Sequence, residues 1–579
     1  MQDTSEMTVY EWEDPIHIRS RDFTPPVDAS HIAGKVICGY QGWFGTPSDG
    51  SGEGRWRHWG GGSPENLERV SFELYPDIRE YTREELHPTG YDRHGNGQTS
   101  ALFSSYSAQT VNTHFRWMAE YGIDGVALQR FYSDIPSPRM RRVMQNVRQA
   151  AEKYNRIFYI CYDISGGRGE EFVSRMCEDI DRLQEWVLDS PSYLHENGRP
   201  VLQLWGFGVK GNCRCTPEQA LEVVEHARSK GFYLIVGTPA GFRESGTDSL
   251  PEFAPVYEKF DMISPWQVGR FGKCEEVAPY YDRLLRLDGE YCAAKGQGYM
   301  PVLFAGFAWS LWLHGPKNAI PRLGGRFFWE QAKAAARIHT TALYIAMFDE
   351  YDESTAIMKA AEDSSQIPHN KYFLTTCADG MFVSSDFYLR LVGKLTGLYR
   401  DKRELPEHVP VPLTEGPVYL RTGFEAQTDA TATIHLLDGE EGLVRASVEK
   451  TERAHGGDSV LYVGLTPSTN KTNLLLGILE TGSYTITPTM TLRAFVCPLD
   501  EGGCEIEWDV MTTDGQWLSE TGKMPDETAM KFLVGAWKKV TIPLGKALTG
   551  KTIQTIALRY RGDTGREASL YVDDILLYD

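Results

Sequence analysis

No run of about 18 apolar residues occurs in this 579-residue chain, so no membrane-spanning helix is expected. Positive charge is in deficit. Lys and Arg number 59 against 79 Asp and Glu, and the net charge of −20 argues against nucleic acid and anionic membrane surfaces as partners. Ten cysteines are too few for a disulfide scaffold, and Cys213 and Cys215 in "GNCRCTP" have no second pair at zinc-site spacing. Cys497 and Cys504 flank the turn-like "PLDEGG" and are a candidate bridge. The N-terminal "MQDTSEMTVYEWEDP" has neither the basic start nor the apolar stretch of a secretory leader. Also missing is a glycine-rich phosphate turn after the first apolar run, which continues as "GYQGWFG"; this weighs against a doubly wound nucleotide-binding sheet.

What is present is enough apolar material, 41%, for two or three packed domains. Aromatic residues reach 12%, with 14 Trp and 29 Tyr. Ring faces suit the C–H faces of sugars, and large cores use the same residues, so composition leaves both uses open.

From about residue 34 to 353 one unit recurs: a short apolar run that ends in polar or aromatic residues, then an amphipathic stretch. The runs are 35–44, 122–131, 157–165, 199–208, 232–242, 260–271, 300–309 and 341–350. Eight alternations of strand and helix point to a (β/α)8 TIM barrel, an α/β fold, whose functional groups stand at the C-terminal strand ends. Those ends carry Tyr40, Gln41 and Trp43; Gln129 and Arg130; Tyr162 and Asp163; Trp205; Trp266 and Gln267; Trp309; and a group of acids after the eighth run. The loop after the first run, about 45–107, is long and holds Trp56, His58, Trp59, Tyr75, His87, Tyr91 and His94. A loop of that length and composition is expected at the rim of a binding site, packing on the barrel being the alternative.

Near residue 400 the pattern changes. "YRDKRELPEHVPVPL" is charged and proline-rich, and beyond it come short alternating strands such as "SVLYVGL", "MTLRAFVC" and "SLYVDDILLY". The expected plan is an N-terminal extension (1–33), a barrel (34–400), a linker (401–415) and an antiparallel β-sandwich (416–579). Trp508, Trp517 and Trp537 either form a sugar platform there or fill the core, and core is favoured for most of them.

The eighth run reads "LYIAMFDEYDEST", with Asp349, Glu350, Asp352 and Glu353 inside five positions. Crowded carboxyls raise one another's pKa, so one can keep its proton near neutrality while another is ionised. Glycosidic cleavage needs such a pair, one acid to protonate the leaving oxygen and one base or nucleophile. Two other uses fit the same residues: acids at a helix N-terminus, and an oxygen-rich cation site in a metal-dependent hydrolase using Asp349, Asp352 and the loop histidines.

"FDEYDEST" resembles the signature W-N-E-W-H-E-G-T of glycoside hydrolase family 99, the endo-α-mannosidases. Glu350 and Glu353 fall on its two glutamates, whereas Phe348, Asp349, Tyr351, Asp352 and Ser354 depart from it. The segment "FSSYSAQTVNTHFRWMAEYGIDGVAL" is similar to that family's second-strand region, and "FAGFAWS…IPRLGGRFFWEQ" to the broader family 71/99-like hydrolases. The resemblance spans roughly 34–400. It implies a retaining route through a 1,2-anhydro sugar, in which Glu350 assists the 2-hydroxyl, Glu353 protonates the leaving oxygen and no catalytic metal or other cofactor is needed. Expected sugar contacts are Tyr40, Trp43, Trp56, Trp59, Gln129, Arg130, Tyr162, Asp163, Trp205, Trp266, Trp309, Asp349 and Tyr351. The sandwich resembles jelly-roll carbohydrate-binding modules, which makes Glu425 and Asp573 candidate ligands of a structural calcium. The expected protein is a monomeric, exported (secreted or periplasmic) glycosidase acting on an oligo- or polysaccharide. A non-catalytic sugar-binding protein on a degenerate barrel is the alternative.

Overall fold

The computed structural model describes residues 21–578 apart from 95–97, 364–365, 369–370, 380, 382, 414–417, 425–434, 439–443, 452, 455–458, 467–471, 523–533, 536 and 563–565. Each of the eight apolar runs contributes a strand. They are β1 (Val36–Tyr40), β2 (Gly125–Phe131), β3 (Ile157–Asp163), β4 (Arg199–Trp205), β5 (Tyr233–Thr238), β6 (Met262–Pro265), β7 in two pieces (Gly298–Tyr299 and Val302–Phe304) and β8 (Leu343–Ala346). Nearly all their residues are buried, as parallel strands covered on both faces must be.

The strands pair in parallel and in chain order, and β8 returns to β1 with Ile37 opposite Tyr344. Pro301, which has no N–H to donate, lies in the gap of β7. The barrel closes through that gap: Met300 N donates to Ile263 O on one side, and Tyr344 N donates to Pro301 O on the other.

Helices cross over between strands. The first four are α1 (Ala108–Tyr121), α2 (Pro138–Tyr154), α3 (Glu171–Trp186) and α4 (Pro217–Ser229). Ser107, Ser137 and Thr216 cap α1, α2 and α4, each side chain accepting the N–H three residues on. A final helix, Phe387–Arg400, packs against α1.

The long first loop carries a hairpin (Gly60–Ser63 with Asn66–Val70) and a second antiparallel pair (Leu86–Pro88 with Ala101–Phe103). Most of its rings are core. Trp59 is fully buried among Phe44, Phe72, Phe103 and Tyr351, and Tyr75 and His94 are buried together. The loop therefore mainly packs on the barrel, and among its described residues only His58 reaches the central cavity.

Beyond Val418 two antiparallel sheets face each other. Trp508, Leu461, Ile478, Leu492, Ile556 and Val572 lie in their shared core. Trp537 instead packs with Phe495, Cys497 and Tyr578 against Cys377 from the barrel side. Trp517 lies half-buried beneath the Arg559 guanidinium. The expected Cys497–Cys504 bridge does not form. Cys497 is buried in that apolar cluster, the Cys504 thiol donates to Asp500 O, and all ten cysteines are free.

Arg130 and Tyr162, read from the sequence as sugar contacts, hold the barrel to its helices instead. Arg130 makes a two-pronged ion pair with Asp179 of α3 at 2.5 and 2.7 Å, and Tyr162 Oη donates to the same carboxylate at 2.6 Å, all of it buried. Arg130→Ala strands that carboxylate without its cation. The expected loss of unfolding free energy is about 3–5 kcal/mol, read from the midpoint of urea denaturation. A loss below about 1 kcal/mol, the scale of an exposed pair, would contradict the buried pair.

Candidate active site

The β8–β1 ladder runs on past Ala346, with Phe348 N donating to Gly39 O. The chain then turns, and the turn is fixed by Asp349. Its Oδ1 accepts from Gln41 N at 2.7 Å and its Oδ2 from Gly42 N at 2.8 Å. Gly42 has φ +62°, and a Cβ there would meet Val143 Cγ1 at 2.8 Å, so the turn requires glycine. Asp349 is thus wholly inside the protein as a clasp between the ends of β1 and β8, and it does not border the cavity as the sequence reading expected.

The clasp aims the Gln41 side chain at Glu350. Gln41 Nε2 donates to Glu350 Oε1 at 2.6 Å, and Thr355 Oγ1 donates to Oε2 at 2.7 Å. Both Glu350 and Glu353 border a cavity of about 730 Å³ in the barrel mouth. The Glu353 carboxyl has no hydrogen-bond donor among the described residues, while its backbone O accepts from Ala308 N.

Desolvation dominates the electrostatics here. It pushes Glu350 up to about 8, with the Asp352 charge adding to the rise and the Thr355 and Gln41 donors opposing it. Burial raises Asp352 to about 8 and Asp349 to about 7. Glu353 is driven well above the ordinary carboxyl range, first by burial and then by the Glu350 and Asp352 charges. Of the pair, the acid with two donors holds charge more readily and the acid with none holds its proton.

The cavity walls are aromatic. Trp205 meets Trp266 edge-on at 5.6 Å, Trp309 packs on Phe307, and Trp312 stands 42% exposed at the mouth. The floor is Gln129, which donates to Tyr344 Oη at 3.0 Å, together with Met347. Gly39 lies under this floor, and a Cβ there would stand 2.3 Å from both Met347 and Tyr344 Oη. Asp163, raised to about 6 by burial, lies at the edge with Ser165, Lys210, Asn212 and Arg270.

Of the expected contacts, Gln129, Asp163, Trp43, Trp205, Trp266 and Trp309 border the cavity. Tyr40, Arg130 and Tyr162 do not, because strand residues alternate: Gly39, Gln129 and Asp163 face inward, and their neighbours face the helices. Tyr40 Oη binds His114 Nδ1 at 2.8 Å. Trp56 and Trp59 donate to the backbone oxygens of Ser63 and Phe103 within the loop core. Tyr351 is fully buried, donating to Lys359 O. Trp43 is stacked against His58 and Phe131, which leaves the cavity its edge and not an open face.

At the site but outside the expected sugar contacts are Gln41, His58, Thr355, Lys210 and Asn212. His58 carries only the rim signal of its loop, Gln41 and Thr355 stand close in sequence to recognised residues, and Lys210 and Asn212 sit in a loop with no motif to mark them. Glu425, one of the two candidate calcium ligands, lies outside the described residues. Asp573 is buried, with its Oδ1 accepting from Asp574 N at 2.8 Å. Among the described residues no group of three or more His, Cys, Asp or Glu is arranged to hold a metal ion.

No protein-family model matches this chain, and no curated protein matches it in sequence. Solved structures similar to it include the GH99 endo-α-mannosidase from Bacteroides thetaiotaomicron, at 15% identity and a TM-score of 0.48, covering 65% of this chain and 100% of that one. They also include GH5_18 from Streptomyces cattleya in complex with GlcNAc, at 13% identity and a TM-score of 0.36, covering 52% of this chain and 76% of that one. A third is a structure of carbohydrate-binding modules of the β-sandwich superfamily, at 18% identity and a TM-score of 0.21, covering 27% of this chain and 61% of that one.

Proposed function

We propose that this chain is a glycoside hydrolase in which Glu350 and Glu353 carry the reaction. The observation that carries the reading is one cavity bordered by two glutamates three residues apart with opposite surroundings, one held by two donors and one by none. The aromatic walls supply faces for sugar rings, and the cavity volume suits a saccharide of one or a few units.

The assignment of roles follows from the surroundings. Gln41 and Thr355 favour the ionised form of Glu350, which makes it the base. Glu353 keeps its proton and delivers it to the leaving oxygen. In the retaining route that the strand-eight motif implies, Glu350 draws the proton from the 2-hydroxyl as that oxygen attacks C1 and the glycosidic bond breaks. Glu353 protonates the departing oxygen; water, deprotonated by Glu353, then attacks C1 and opens the 1,2-anhydro sugar while Glu350 returns its proton to O2. The 2-hydroxyl must lie trans to the leaving group, which points to α-mannosides.

A panel of 4-nitrophenyl glycosides (α- and β-mannoside, glucoside, galactoside, xyloside and arabinoside), with mannan as a polymer, tests the reading. Glu350→Gln and Glu353→Gln should each fold and lose about 10²–10⁴ in turnover on unactivated substrates, the usual worth of general acid–base assistance. A good aryl leaving group needs little protonation, so it should restore the first step in Glu353→Gln and not in Glu350→Gln. A 2-deoxy substrate should be inert. Its turnover at the normal rate would make Glu350 a direct nucleophile or a base acting on water.

The pH profile of kcat/KM gives a second check. Activity requires Glu350 ionised, so it should rise with pH on a limb displaced far above the usual carboxylate range toward about 8. It should fall as Glu353 loses its proton at higher pH. In Glu353→Gln with an activated aryl substrate the alkaline limb should vanish and the rising limb remain. An unchanged alkaline limb would remove Glu353 from the acid role.

A further inference from the structure

Among the polar groups at the cavity that the two-glutamate scheme does not use, His58 stands beside both glutamates. His58 lies in the loop after β1 with φ +58°, in the left-handed region, where a residue other than glycine stays only if its surroundings hold it there. Two contacts do so. The imidazole stacks on Trp43 with centroids 3.7 Å apart and planes at 6°, and its Nδ1 stands 3.1 Å from Asp352 Oδ2. The ring is 31% exposed and borders the cavity beside Glu350 and Glu353. Among the described residues Nε2 has no partner.

Which proton sits on Nε2 follows from charge counting. An ionised Asp352 with a neutral ring protonated at Nδ1 would leave Nε2 bare and add a full negative charge beside Asp349, Glu350 and Glu353. Either a carboxylic acid donating to Nδ1 or a carboxylate facing an imidazolium keeps the pair neutral, and in both arrangements Nε2 carries hydrogen. Burial weighs the same way, lowering His58 to about 3 and raising Asp352 to about 8, so that both partners stay uncharged. Of the other charged groups near the ring, Arg57 lies between the carboxylates of Glu53 and Asp134, and Arg139 pairs with Asp49. Each cation is matched by at least one carboxylate, so no unpaired positive charge favours an ionised Asp352 beside a neutral ring.

We propose that His58 is a substrate-contacting residue, whose Nε2–H donates to an acceptor oxygen of the sugar bound over Glu350 and Glu353, and that Asp352 is the positioning residue that fixes its tautomer. The proposal rests on the glycosidase reading and adds a specificity contact from outside the strand-eight motif.

Imidazole ¹⁵N spectra test the tautomer without turnover. The His58 signals are identified by their loss in His58→Asn. At pH 7 the wild type should show hydrogen on Nε2, and Asp352→Leu should return the ring to a mixture of tautomers. Kinetics test the contact with the most active 4-nitrophenyl glycoside of the panel. His58→Phe keeps the stack on Trp43, and His58→Asn keeps the left-handed backbone. Phe has no donor, and the Asn amide is too short to reach the Nε2 position, so both should lower kcat/KM about 5- to 50-fold in protein that remains folded by circular dichroism. A bare Nε2 in the wild type, or kcat/KM within about twofold of wild type in both variants, overturns the proposal while the glycosidase reading stands. A wild type inert to every glycoside removes the glycosidase reading and the proposal with it.

Discussion

The Asp349 carboxylate, buried and clasping two backbone N–H groups of the turn after β1, is the interaction on which the site depends. Without it the first and last strands would still pair through Cys38, but their ends would be free to splay where the cavity opens. The clasp uses both oxygens, one for Gln41 and one for Gly42. An amide at this position would offer one acceptor where the turn presents two donors. Because the turn is fixed, the Gln41 side chain has one direction to take, and it meets Glu350. Barrel closure and the holding of Glu350, the proposed base, are therefore one piece of geometry.

The same arrangement concentrates charge where water is excluded. Asp349, Glu350, Asp352 and Glu353 all bind protons more tightly in the folded protein than in the unfolded chain. The sign of the consequence is fixed by linkage. Below the unfolded carboxyl values, near pH 4, all four are protonated in both states and cost nothing. As pH rises from there toward about 8 the unfolded chain releases protons that the folded one keeps, and folding stability falls. The barrel tolerates this loss because its core is large and its outer seams, such as Arg130–Asp179–Tyr162, lie in the helix layer away from the acids. Stability and the site draw on different parts of the same strands, the outward and the inward residues.

That division also explains what the sequence discloses. Eight apolar runs are legible because a parallel strand buried on both faces must be apolar throughout, and acids closing the eighth run stand out against that background. The direction of each strand-end side chain is not legible from such a run. With both faces buried there is no polar alternation to mark the register, so Tyr40 and Gly39, Arg130 and Gln129, and Tyr162 and Asp163 look interchangeable until coordinates separate them. The first loop misleads for a related reason. Trp56 and Trp59 carry the aromatic signal of a sugar platform yet fill the core of the loop, while His58, between them, turns outward to the cavity. A glycine-rich loop of that length has no period from which to read which residues face in.

Ligand binding acts on the variable that already governs the site. Every large shift among these acids begins with desolvation, and a sugar filling the aromatic cavity removes further water from Glu353, which has no donor to offset the loss. Glu350 meets the same effect with the hydrogen bonds of Gln41 and Thr355, which survive the exclusion of water and partly offset it. On the proposed roles, loss of water raises both carboxyls but Glu353 more than Glu350, which widens the difference between acid and base. A pair already set apart by its donors would be set further apart once a ligand is seated, the aromatic walls being what excludes the water.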